Sequence, residues 1–469
     1  VIVSLILGTG FLLGMLIIPA WNNHMAYAVG PRYVAPSPLG SDIGNDCLSN
    51  LTPCATVQYA VDQADPGDEI RVAAGTYTGV FTRVSVLFAS VVTQAVYISK
   101  PLTVQGGYTT TDWNVPKPMA NPTILDAQGQ GRVFNIENTT TLTEISITVA
   151  GFSITNGNAT GQIDCWGGRG AGGGINGCAV TGTLMSNYIY NNRGSHAGGG
   201  VALLGAAPVT LINNRITTNT VTAYDNIAAG GGVALGVVDG QQNAVLEANL
   251  IRSNRAIADG PGQSARGGGF FEIGNAVMNG NLIQANEARA LNGAQARGGG
   301  VDFEALLTIT NTVIADNRIT GPGDGAGMFL FSKANLWHVT IARNSGGDGS
   351  GIHLLTSTLT MTNVIVISHT IGLTVSQGST ATLNSVLWFN NTTANITGAG
   401  MIDLTRQFAG DPAFMADGYH LGPGSAAFDR GINAGVTIDI DGETRSLAAP
   451  DLGADEGSAL AFFLPFILK

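Results

Sequence analysis

Residues Gly267–Asn286 read GGGFFEIGNAVMNGNLIQAN: three glycines, a short apolar run, a turn, then Ile283 three residues ahead of Asn286. The same unit recurs along the chain. Glycine triplets begin at Gly172, Gly198, Gly230, Gly267 and Gly298, and relax to Gly325-Ala326-Gly327 and Gly349-Ser350-Gly351. Between them runs an Ile-x-x-Asn ladder, read as Ile189/Asn192, Ile216/Asn219, Ile251/Asn254, Ile283/Asn286, Ile314/Asn317 and Ile341/Asn344. The interval is about 24 to 37 residues, the signature of a solenoid.

Each unit holds short β-branched runs separated by turn residues, without a helical period, so one repeat cannot bury its own hydrophobic face. Stacking at about 4.8 Å per layer would lay Ile on Ile inside a tube and Asn on Asn at a bend, where amides can hydrogen-bond between coils. The expected fold is all-β: a single-stranded right-handed parallel β-helix, a solenoid of roughly ten to twelve coils, with a short N-terminal capping helix and a small C-terminal module. The glycine triplets suit bends that need positive φ, or points where neighbouring coils approach closely.

Of 469 residues, 66 are Gly and 11% are charged, with a net charge of −11; the 44% hydrophobic residues, being periodic, separate this chain from a disordered one. Lysine occurs only at positions 100, 117, 333 and 469. With no basic stripe, nucleic acid and anionic membranes are excluded as expected partners.

Residues 1–28 read as a secretory signal: Val1 to Ala20 is almost wholly apolar and Ala26-Tyr27-Ala28 is a small-x-small cleavage site, although the basic start is missing. A retained membrane anchor is the alternative, because the run is long enough to span. Either reading exports the rest of the chain, with no membrane span in the mature protein. Cys47 lies near Cys54 and Cys165 near Cys178, which suggests two local disulfides in an oxidising compartment.

Residues 29–45 read as a Pro/Ser/Gly linker and 46–400 as the β-helix, whose cap is a short helix within Thr56–Ala64. From 401 to 457 the composition becomes acidic and Pro-containing, a small appended module, and 458–469 form an apolar tail, either an edge strand or a sorting tag. Variation in repeat length falls between each Asn and the next triplet. Loops there would project from one side, carrying Arg255, Arg266, Arg297 and Asp324 among others. After the triplet, Val201, Val233, Phe270, Val301, Met328 and Ile352 should point inward, while Ala202, Ala234, Phe271, Asp302, Phe329 and His353 should point outward in a stacked file. Phe271, Asp302, Phe329 and His353 are the expected ligand-binding residues, a sugar-stacking ledge with a carboxylate. Ordinary surface variation or packing under a loop is the alternative, and Glu272 falls at an inward position.

Cys47 to Gly79 (CLSNLTPCATVQYAVDQADPGDEIRVAAGTYTG) resembles the opening segment of bacterial proteins of the pectin-lyase-like superfamily. The paired triplet and Ile-x-x-Asn motifs resemble the GGA(I/L/V) and FxxN repeats of polymorphic outer membrane proteins, with Gly for Ala and Ile for Phe. Gly410-Asp411-Pro412, Tyr419-His420-Leu421, Asp439-Ile440-Asp441-Gly442, Arg445 and Pro450 to Glu456 are similar to the choice-of-anchor Q module. These resemblances imply a secreted or cell-surface β-helix with the module placed ahead of a variable anchoring signal; the expected role is non-catalytic, adhesive, carbohydrate-contacting or envelope-structural. The alternative is a polysaccharide lyase or hydrolase acting on an acidic glycan. The NTD, DD, GHG and RIK stretches of galacturonan hydrolases do not occur. A calcium-dependent lyase needs carboxylates on neighbouring coils and an Arg base, for which the nearest match is Glu272, Asp302 and Glu304 with Arg266 or Arg297. No cofactor is expected; calcium is the one ion the pattern admits, there or at Asp439 and Asp441, which an Asp-Gly turn explains equally well. Carbohydrate or a neighbouring cell surface is the expected partner.

Overall fold

Like residues of successive repeats lie opposite one another in parallel register. The computed structural model describes residues 30–85, 87–138, 144–205, 208–237 and 244–457. In it Ile189, Ile216, Ile251, Ile283, Ile314 and Ile341 form one continuous file of strand partners, all completely buried. At about 1.5–3 kcal/mol for each fully buried aliphatic side chain, such a file is a principal source of stability. The sheets contain 22, 12, six and four strands, and the pairings between coils are parallel. With the right-handed crossover that parallel strands impose, this is a right-handed parallel β-helix. The expected inward residues Val201, Val233, Phe270, Val301, Met328 and Ile352 all belong to its main core.

One coil shows the plan. Gly198–Gly200 leads into Val201–Gly205, then Val209–Ile212, Arg215–Thr217, Thr220–Thr222 and Ile227–Ala229, before the next triplet. Two sharp corners flank the strand that carries the ladder Ile. At each, a residue of positive φ is followed by a buried polar residue, as in Asn213-Asn214 and Thr218-Asn219. At the second corner the Asn254 amide donates to Ile216 O (2.8 Å) and to Asn286 Oδ1 (3.0 Å), and its own Oδ1 accepts from the Asn219 backbone N–H (3.0 Å). His369 replaces Asn in one coil: the Asn344 amide lies 3.2 Å from His369 Nε2, and burial lowers that imidazole to about 4, keeping it a neutral acceptor; Asn391 then resumes the ladder, accepting from His369 N–H and donating to Val366 O, each at 3.1 Å. A second amide ladder, Asn187, Asn214, Asn249 and Asn281, lines the first corner.

The glycines of a triplet serve both expected purposes. Gly267 has φ +56°, and a Cβ on Gly268 would lie 2.3 Å from Gly299 O of the next coil.

The stretch between Asn and the triplet is not a loop. It forms two further parallel sheets, one containing Arg255–Asp259, Glu287–Leu291 and Arg318–Thr320, the other Ser264–Arg266, Gln295–Arg297 and Gly323–Asp324. Between them lies a thin core of Ala228, Ala256, Ala258, Ala265, Ala288, Ala290, Ala294 and Ala296, with Val221 and Ile319. The lateral projection is therefore an ordered fin whose small side chains let its two sheets approach.

At the N-terminal end, Arg32–Val34 pairs with Ile70–Val72, so this part of the presumed linker is a rung of the sheet. Arg32 Nε bonds Asp68 Oδ2 at 2.9 Å, with both side chains buried. The helix Val57–Gln63, capped by the Thr56 hydroxyl accepting from Tyr59 N–H, adds Val57, Ala60 and Val61 to the main core. Both disulfides, Cys47–Cys54 and Cys165–Cys178, are formed. At the other end, Met401–Ala409 pairs with Thr380–Trp388, so the solenoid runs past the composition change at Met401. The residues that follow lie along its flank, where Leu421, Ala427, Leu452 and Ala454 pack on Val313, Ala315, Ala342, Ile365, Ile367 and Leu387. Among the described residues no helix is long and apolar enough to cross a membrane. Residues 1–28 and 458–469, read as signal and tail, lie outside the described residues.

Candidate functional site

Two files meet where the fin joins the sheet that follows the triplets. On the sheet, Ala202, Ala234, Phe271, Asp302, Phe329 and His353 are register partners at successive layers. On the fin, Ala229, Arg266, Arg297 and Asp324 are partners in the same order. The outward file stacks as the alternation predicts, yet it is roofed by the fin: Phe271, Asp302 and Phe329 are at most 3% exposed, and the His353 side chain is 13% exposed. Ala197 and Ala229 pack with Ala202, Ala234 and Phe271. The Arg266 guanidinium lies 6.0 Å from the Phe271 ring centroid and that of Arg297 4.8 Å from the Phe329 centroid. Phe329 stacks on His353 at 5.5 Å.

Asp302 sits under this roof with neither carboxylate oxygen hydrogen-bonded. Burial pushes its carboxyl up to about 7; Arg266 and Arg297 oppose that rise and Glu304 reinforces it. Arg266 is engaged in an ion pair with Glu304. Glu272 is the register partner of Leu235 and Phe303, which places it on the inner face, across the sheet from Asp302. Its Oε1 accepts from Gly274 N–H at 2.7 Å. Glu272, Asp302 and Glu304 therefore do not gather into one carboxylate set, although Arg266 acts on both Asp302 and Glu304.

Among the described residues, two other trios bring one ligand atom each to within 4.8 Å of one another: Asp324, Asp348 and His353, and His420, Asp441 and Asp455. In the first, Asp348 is already served by the Ser350 hydroxyl, Gly325 N–H and His353 Nδ1 at 2.7 Å. In the second, His420 bridges Asp417 (2.6 Å) and Asp441 (2.7 Å). Burial lowers the imidazole, but its bonds to the two carboxylates outweigh that and raise it to about 9. Asp439, expected beside Asp441, instead accepts backbone N–H groups of Asp441, Glu443 and Glu456, a turn-closing role.

A different face carries an open groove of about 600 Å³, lined among others by Met119, Ser153, Tyr188, Asn213 and Arg215. Tyr188 and Tyr190 alternate outward around buried Ile189 and stack at 4.3 Å; Tyr188 is 41% exposed, and the Arg215 guanidinium lies 5.7 Å from its ring centroid. Register continues the file from Ser153 through Tyr188, Arg215 and Leu250 to Leu282 and Val313, where the C-terminal module covers it. Arg193, Arg215 and Arg252 are exposed on these coils and make no ion pair among the described residues. Sequence reading missed this groove. Its signal was the outward Tyr-Ile-Tyr of one repeat, where the next coils carry Arg-Ile-Thr and Leu-Ile-Arg.

No family model matches the chain, and no curated protein matches it. Among solved structures it is similar to the crystal structure of pectate lyase Pel9A, at 14% identity and a TM-score of 0.42, over 91% of this chain and 96% of that one. The fold assignment rests on the registers above.

Proposed function

We propose that this protein is an exported, non-catalytic β-helix that contacts carbohydrate through the Tyr188 groove. The observation that carries the reading is exposed Tyr188, braced by half-buried Tyr190 and flanked by Arg215, which makes no ion pair among the described residues. Two rings held by each other and by the sheet lose little entropy on binding. They offer an apolar surface to sugar C–H groups, while Asn213, Ser153 and Arg215 supply donors and acceptors to hydroxyls. Export is supported by the two disulfides and by the apolar opening stretch of the sequence. The resemblance of the repeats to polymorphic outer membrane proteins, and of residues 410–456 to a choice-of-anchor Q module, supports placement at a cell surface.

The second reading, a polysaccharide lyase or hydrolase acting on an acidic glycan with or without calcium, would use Asp302, Glu304, Arg266 and Arg297. It is favoured by the raised carboxyl of Asp302 between two arginines and disfavoured by its burial and by the Arg266–Glu304 pair. A panel of neutral and uronic-acid polysaccharides separates the two. Binding that falls at least tenfold in Tyr188→Ala and Arg215→Ala, without turnover, supports the first. Unsaturated product, from elimination, or new saturated reducing ends, from hydrolysis, that disappear in Asp302→Ala or Arg297→Ala establish the second.

A further inference from the structure

Among the described residues the fin stops before the solenoid does. Its last strands are Gly323–Asp324 and Ser345–Gly346, and the next coil passes from the corner at His369 directly into Ile371–Val375. The roof over Phe271, Asp302 and Phe329 ends there, and the next members of that file, His353 and its register partner Thr374, stand at the step.

Three side chains meet at this step. His353 Nδ1 lies 2.7 Å from Asp348 Oδ2, and His353 Nε2 lies 3.0 Å from Ser376 Oγ. Asp348 also accepts from the Ser350 hydroxyl and from the backbone N–H groups of Gly325 and Ser350. Burial acts to raise its carboxyl, but these bonds, led by that from His353, outweigh it and hold the group below the ordinary value. An ionised Asp348 favours the tautomer with hydrogen on Nδ1, which leaves the Nε2 lone pair facing the Ser376 hydroxyl. The imidazole is braced by Phe329, stacked at 5.5 Å, and Asp324 Oδ1 lies 3.9 Å from Nδ1. Ser376 is half-buried and opens a turn closed by Ser379 N–H on Ser376 O at 3.0 Å. Gln377, next in that turn, is exposed, and among the described residues its N–H donates to no backbone carbonyl.

We propose that Ser376 as nucleophile, His353 as general base and Asp348 as positioning residue hydrolyse carboxylic esters, such as O-acyl groups on a carbohydrate. Turnover is confined to ester groups: glycosidic bonds stay intact, and the carbohydrate contact at Tyr188 remains a separate, non-catalytic site. Serine, imidazole and carboxylate in one hydrogen-bonded line perform acyl transfer, and an open step on the surface suits an ester, whose alkoxide leaves more readily than an amine. Ser376 Oγ attacks the carbonyl carbon as His353 Nε2 takes its proton, with the Gln377 N–H available to the developing oxyanion. The C–O bond to the alcohol then breaks, Nε2–H protonates the departing oxygen, and the acyl group stays on Ser376. Water, giving its proton to Nε2, releases the acid and restores the serine.

The full chain, treated with p-nitrophenyl acetate and separately with a fluorophosphonate, tests this. Saturable release of nitrophenol is expected, and a single phosphonyl group located at Ser376 by peptide mass spectrometry. Ser376→Ala and His353→Gln should each lower kcat on the order of 100-fold or more, the urea unfolding midpoint of Ser376→Ala reporting an intact fold. Asp348→Asn should lower kcat with KM unchanged, a split that mere loosening of the site does not produce. Turnover no faster than in Ser376→Ala, a label on another residue, or activity that needs a divalent cation at Asp324, Asp348 and His353 overturns the proposal. Polysaccharide binding at Tyr188 is measured separately and is untouched by any of these results.

Discussion

Asp302 is a residue whose position the alternation of its strand determines and whose state its surroundings determine. It stands outward between Phe271 and Phe329, where a rung of a two-sided sheet would meet water, and it meets the fin instead. A carboxyl raised to about 7 in the folded protein, against about 3.9 in an unfolded chain, binds its proton more tightly when folded. Its contribution is therefore fully present below about pH 4 and is lost as the pH rises through 7. Asp302→Asn should remove that dependence, leaving the variant more stable than the parent at pH 8 by on the order of 2–4 kcal/mol and nearly equal to it at pH 4. Urea unfolding at the two pH values checks this, and an unchanged difference between them would show that the carboxyl ionises freely. Both the inward Glu272 and the stacked file of Phe271, Asp302, Phe329 and His353 were legible in the sequence, because strand parity needs no tertiary information. The burial of that file stood in the sequence only as an alternative to an open ledge, since the cover comes from a strand on the far side of the glycine triplet.

At the scale of elements, each corner is held by an amide ladder. The Ile-x-x-Asn spacing made one ladder readable; the other, at Asn187, Asn214, Asn249 and Asn281, precedes the same Ile by two residues and passes for ordinary turn composition. Removing one rung strands its neighbours: in Asn254→Ala, Ile216 O loses a donor, and the Asn219 backbone N–H and side-chain amide lose an acceptor, all in buried positions. A loss of roughly 2–5 kcal/mol follows from orphaned buried groups at about 1–3 kcal/mol each. Exchange should accelerate first at Asn219, whose backbone N–H donates to Asn254 Oδ1, and a uniform acceleration along the solenoid would contradict the ladder's local role. The fin escaped sequence reading for a related reason. Its core is alanine, which carries little hydrophobic signal, and its strands are three to five residues long in the coils that begin at Gly230 and Gly267.

For the molecule as a whole, the flank of the solenoid and the C-terminal module stabilise each other through one buried cation. Arg445 donates to Asn311 Oδ1 on the solenoid and to Gly453 O and Ala454 O in the module, and pairs with Glu456 at 3.1 Å. Arg445→Ala removes the cation paired with Glu456 and leaves Asn311 Oδ1 and Gly453 O without their side-chain donor, at a cost of about 3–5 kcal/mol by the precedent of broken buried pairs. Limited proteolysis should then cut within residues 410–457 well before the solenoid, and cleavage that still begins in the coils would contradict the link. The module also depends on pH. His420, raised to about 9 by its carboxylate partners, contributes stability that is fully present below about pH 6.5 and is lost as the pH rises through 9.

The sequence by itself determined the winding. A glycine triplet, an aliphatic run and an Asn corner, repeated at near-constant spacing, leave stacking in parallel register as the way to bury the Ile file, and local pattern suffices because every layer repeats the one below. It also placed the capping helix and both disulfides, whose partners are close in the chain. What only the tertiary structure decided lies between elements distant in sequence or weak in pattern. The alanine fin roofs the Asp302 file, the module lies along the flank, and Tyr188 stays open while Leu282 and Val313 of the same file are covered. Each of these depends on which surface meets which, and a one-dimensional period does not carry that information.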